Sequence, residues 1–70
     1  MSLASELLKL VPVGEENAVS GLLLWRHMGM YSAAGVRHKL NEMAAKGLIE
    51  RKRGAEEGRE TSLYFKVSAP

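Results

Sequence analysis

The sequence contains no cysteine and no aspartate. Without cysteine there is no disulfide and no thiolate zinc site, and the expected setting is the reducing cytoplasm. Without aspartate, a nucleophile–histidine–acid arrangement has only glutamate to draw on, and 70 residues leave little room for a cleft around it. The two histidines, His27 and His38, stand apart with no Cys or Asp near them, so no metal site is expected. No run of about 18 apolar residues is present, hence no membrane span is expected. The N-terminal apolar residues alternate with Ser, Glu and Lys and read as a helix, not a leader. Gly54 and Gly58 edge a turn, without the G-x-x-x-x-G-K-[ST] spacing of a phosphate loop. There is no internal repeat and no low-complexity stretch. These absences argue against an enzyme and imply no cofactor, leaving one small domain with a marginal core.

What is present is an uneven distribution of charge. The net charge of +2 says little by itself. Residues 32–53 hold Arg37, Lys39, Lys46, Arg51, Lys52 and Arg53 against Glu42 and Glu50 only. The flanking segments are each slightly acidic, with Glu6, Glu15 and Glu16 before and Glu56, Glu57 and Glu60 after. Positive charge gathered on one stretch is the electrostatic mark of a polyanion partner.

That stretch also has the clearest local structure. Ser32 is a good N-cap and Gly47 a good stop, with Lys46 in the last turn where a helix dipole favours a cation. Between them Val36, Leu40, Met43 and Ala44 make one apolar stripe, predicting a helix over 32–46. Ala34, Arg37, His38, Asn41 and Ala45 fall on the other side, a narrow face equipped to hydrogen-bond. Glu42 and Lys46, four apart, are expected to pair.

Upstream, the leucines of residues 3–11 predict an amphipathic helix ended by Pro12. Ala18-Val19 is the edge of a small sheet, and Ser20 caps a helix over 21–28 closed by Gly29. Leu24, Trp25 and Met28 share its core face; Met28, Met30 and Met43 read as core gap-fillers. Leu22 and Leu23 either pack on the first helix or mark a self-association surface. Downstream, 48–53 and 61–67 are strands of a β-hairpin around a Gly54–Gly58 loop. Leu63, Phe65 and Val67 are its buried face, and Ser62, Tyr64 and Lys66 its open one. Residues 68–70 are expected to fray.

Residues Ser20 to Lys66 carry a resemblance. Met28-Gly29 closes one helix, Ser32 opens the next with Val36, Leu40 and Met43, and Lys46-Gly47-Leu48-Ile49 leads into a basic hairpin that returns through Gly58-Arg59 and Leu63-Tyr64-Phe65. The chain resembles the winged helix-turn-helix domains of small bacterial regulators of the MarR and GntR kind. The resemblance implies an α+β fold, three helices with a C-terminal hairpin wing. It implies double-stranded DNA as partner, with the third helix in the major groove. Ala33, Ala34, Arg37, His38 and Asn41 then meet base edges, Arg37 pairing with guanine and Asn41 with adenine. Tyr31 and Ser32 donate to phosphate at the helix N-terminus. Arg51, Lys52, Arg53 and Arg59 lie along the backbone or minor groove. The acidic loop tip, Glu56 and Glu57, departs from this pattern and suggests an alternative, a winged-helix module that docks on protein. A lone unit of this kind would bind DNA weakly, so a homodimer through the first helix or through Leu22 and Leu23 is also considered.

Overall fold

The computed structural model describes residues 2–67. Helix α1 runs Leu3–Leu10, α2 Gly21–Arg26 and α3 Ala33–Ala45; strands are β1 Val19–Ser20, β2 Glu50–Glu56 and β3 Arg59–Phe65. A short 3-10 turn, Glu15–Asn17, lies between α1 and β1. The strands form one antiparallel sheet in the order β1-β3-β2. The described residues are thus a small α+β domain of three helices and a three-stranded antiparallel sheet. The expected frayed tail lies outside them.

Local chemistry sets the helix ends. Ser2, Ser20 and Ser32 each stand in extended conformation and accept a first-turn amide, from Ser5, Leu23 and Gly35. At the end of α3, Gly47 takes φ +80°, and the amides of Gly47 and Leu48 return to the carbonyls of Ala44 and Met43. A side chain at Gly47 would be strained in that left-handed turn. α2 is shorter than expected: His27 caps it and Met28–Met30 are a turn.

Val36, Leu40 and Met43 are buried as their spacing predicts, and with Leu7, Val11, Leu24, Ile49 and Tyr64 they make the core. Trp25 and Met28 pack against it without being enclosed. Met30 is 95% exposed, so it fills no gap in the core: it sits in the turn after Gly29, clear of both helices. Leu22 is also exposed, because the apolar stripe of so short a helix is already satisfied by Leu24. Glu42 pairs with Lys39 at 2.6 Å and not with Lys46. The Lys39 ammonium, hydrogen-bonded to it, holds the Glu42 carboxyl below its ordinary range.

The hairpin differs from expectation in two ways. Its strands extend to Glu56 and Arg59, joined by Glu57-Gly58 alone, both at positive φ as a two-residue type I′ turn requires. Gly54 is therefore inside β2, where a Cβ would come within 2.5 Å of Leu63 Cδ1. The buried face is also the opposite one. Tyr64 and Lys66 are buried, while Leu63 and Phe65 are half-buried and Val67 is 76% exposed. The alternation holds but its parity is reversed, since hydropathy favours leucine and phenylalanine over amphipathic side chains. Tyr64 has a partner for its hydroxyl, and Lys66 buries its stem while its ammonium reaches the Leu8 carbonyl at 2.6 Å, in the last turn of α1. The Lys66 backbone also pairs with Pro12 and Gly14, tying the α1–β1 linker to the end of β3.

Two contacts cross the outer face of the sheet over β3. Lys52 meets Glu15 at 3.6 Å, and Glu56 meets Ser20. The Ser20 hydroxyl donates to one Glu56 oxygen at 2.5 Å, the Ser20 amide donates to the other, and the same hydroxyl caps α2. The helix dipole favours a carboxylate there. Half of the expected acidic tip is therefore engaged by the fold and half-buried. Ser20→Ala removes the cap and the hydroxyl donor to Glu56, leaving that carboxylate only the backbone amide, at a cost of about 1–3 kcal/mol. A thermal melt monitored by circular dichroism is expected to fall by several degrees, and an unchanged midpoint would count against this junction.

Candidate nucleic-acid interface

α3 presents its outer face because its inner stripe is held by α1, α2 and the sheet. Its starting point is fixed from α2: the Trp25 indole Nε1–H donates to the Tyr31 carbonyl at 2.7 Å, one residue before the Ser32 cap. Tyr31, Ser32 and Ala34 are exposed at this end, and Ala33 is half-buried. The Ser32 hydroxyl accepts from Gly35 but retains its own proton to donate.

The polar face of α3 divides in two. Ala34 and His38 face solvent, while Ala33, Arg37 and Asn41, at i, i+4 and i+8, line a groove of about 500 Å³ between α2, α3 and the hairpin. Arg53, Ser62 and Tyr64 are on its opposite wall, and Gly21 and Leu22 close one end. The antiparallel register explains which hairpin residues arrive there. Arg51 pairs with Tyr64 and Arg53 with Ser62, so these four share the sheet face turned to α3. Lys52 pairs with Leu63 and belongs to the other face.

The cations expected along one basic strand are thus separated. Arg53 lines the groove, and Arg51, on the same sheet face, reaches Asn41 at its wall; Lys52 faces away and is paired with Glu15. Arg53 is paired with Glu60, an acid on the groove wall. Arg59 follows the hairpin turn and borders the groove from the edge of β3. Among the described residues, Arg37, Arg51 and Arg59 have no carboxylate at ion-pair distance.

Asn41 is not a free amide. Its Oδ1 accepts from Arg51 Nη1 at 3.0 Å and from the Tyr64 hydroxyl at 2.7 Å. The expected pairing of Asn41 with adenine needs that oxygen as an acceptor, and both its lone pairs are occupied. Burial pushes the Tyr64 hydroxyl above its ordinary range, against the pull of Arg51 and Arg37, so it stays protonated and continues to donate.

Tyr64, Ser62 and Glu60 belong to this site without having been singled out from the sequence. The signal was the strand parity: a register placing Tyr64 beside Arg51 would have brought Ser62 and Arg53 to the same wall. No group of three metal-ligating side chains occurs among the described residues, and none of their helices is long and apolar enough to cross a membrane. Compared with known proteins, the chain matches no family model, no curated protein and no solved structure.

Proposed function

We propose that the chain is a winged-helix domain that binds double-stranded DNA, with α3 in the major groove and the inner face of the hairpin along the phosphodiester backbone. The observation that carries this reading is the placement of unneutralised guanidinium groups, Arg37 on α3 and Arg51 on β2, on either side of Asn41, where two elements of the fold meet. A helix that approaches bases needs small residues beside its donors, and Ala33 and Ala34 supply them at the exposed end of α3. Arg37 is the base reader, with His38 beside it; Tyr31 and Ser32 meet phosphate where the α3 dipole favours an anion. Arg51 and Arg59 meet phosphates, and Arg53 joins them when Glu60 yields it. Regulation of transcription is the role such a domain would serve, in the cytoplasm.

The test is a titration of duplex DNA at several salt concentrations. Three backbone contacts predict a slope of log K against log salt of about −3, at about 0.9 per phosphate. Binding that does not depend on salt, or no binding at low salt, would remove the reading. The protein-docking alternative retains two supporting observations, the exposed Leu22 at the end of the groove and the exposed Glu57 at the hairpin tip, and has lost Glu56, which is engaged by Ser20.

A further inference from the structure

Asn41 has a role that follows from what holds it. Its amide lies between α3 and the hairpin, half-buried, and receives two donors from two different strands. Arginine has donors only, so the oxygen and not the nitrogen of the amide must face Arg51. The Tyr64 hydroxyl donates to the same oxygen from the buried side, where Tyr64 is 2% exposed. The amide orientation is thus set from beneath by Tyr64, and its outer lone pair is left for Arg51. One Arg51 nitrogen is tied down on the amide, while the residue as a whole stays exposed.

We infer that Asn41 is a positioning residue for Arg51: it holds that guanidinium in one orientation, so that a phosphate engaged beside α3 meets a donor fork already in place. This rests on the DNA reading above. It differs from a base-reading role in what it affects. An ordered arginine loses less freedom when it binds, which raises affinity for every sequence alike. A base reader would instead change the preference at one position.

The test combines two measurements. In the free protein, heteronuclear relaxation of the Arg51 Nε–H group reports its order. It is expected to be rigid in the parent, mobile in Asn41→Ala, and rigid again in Asn41→Asp, which keeps the acceptor. On duplex DNA, Asn41→Ala is expected to weaken binding about 3- to 10-fold on all sequences with an unchanged salt slope, because the charge of Arg51 remains. Arg51→Ala with Asn41→Ala is expected to bind no more weakly than Arg51→Ala alone. The inference is overturned if the Arg51 group is equally mobile in parent and Asn41→Ala, if the two substitutions multiply, or if Asn41→Ala changes the preferred base at one position. A parent chain that binds no duplex overturns the DNA reading itself, whereas a parent that binds as tightly as Asn41→Ala overturns the positioning role alone.

Discussion

Tyr64→Ala is expected to leave the chain unfolded at 25 °C. Tyr64 is the largest of the fully buried side chains, near the end of the central strand β3, with β1 on one side and β2 on the other. Its ring belongs to the core cluster with Leu40 and Val36 of α3, and its hydroxyl closes the link to Asn41. Truncating a buried aromatic costs about 3–5 kcal/mol through lost transfer energy and the cavity left behind. A single core in a chain of this size rarely supplies more than about 3–5 kcal/mol in total. The two are of equal magnitude, so the folded population collapses. Tyr64→Phe keeps the ring and removes only the hydrogen bond, about 1 kcal/mol, which lowers the melting temperature of so small a domain by roughly 4–8 °C. Circular dichroism melts of both variants check this. A cooperative Tyr64→Ala transition within a few degrees of the parent would mean that the core does not depend on this strand face.

Arg37→Ala is expected to lower affinity for a preferred duplex by about 1–3 kcal/mol, a factor of roughly 5 to 150, and to relax one base position. The expectation follows from its position one turn into α3, exposed, unpaired, and preceded by small residues. Stability should change little, since the side chain makes no ion pair that the fold uses. Site selection with parent and variant provides the comparison. A variant that retains the parent's affinity and preference would place base reading elsewhere on α3, with His38 the next exposed donor.

The organising helix was legible because several signals agreed. Ser32, the Val36-Leu40-Met43 stripe and Gly47 all pointed to the same element, and no tertiary contact opposed them. The hairpin was legible in existence but not in detail. By sequence Gly54 reads as the start of a loop, whereas in the fold it permits the close approach of Leu63, and only a cross-strand neighbour reveals that. The buried face of β3 was inverted because its inward residues are a tyrosine and a lysine whose polar atoms find partners at Asn41 and Leu8, remote in sequence. The same parity decided the candidate site. Residues 48–53 read as one strand ending in three consecutive cations, Arg51 to Arg53, but a pleated strand sends neighbours to opposite faces. Arg51 and Arg53 share the face turned to α3 and Lys52 does not. Asn41 shared a helical face with Arg37 by spacing alone, and nothing local indicated that β2 and β3 would engage its amide.

The measurement that bears most directly on this account compares Arg51→Ala with Lys52→Ala in the salt dependence of duplex binding. The two substitutions remove the same charge from adjacent residues on opposite faces of one strand. If duplex DNA lies along the face of the hairpin turned to α3, Arg51→Ala lowers the slope by about 0.9 and weakens all sequences, while Lys52→Ala leaves the slope unchanged. Equal losses from both, or a loss from Lys52→Ala alone, would contradict it.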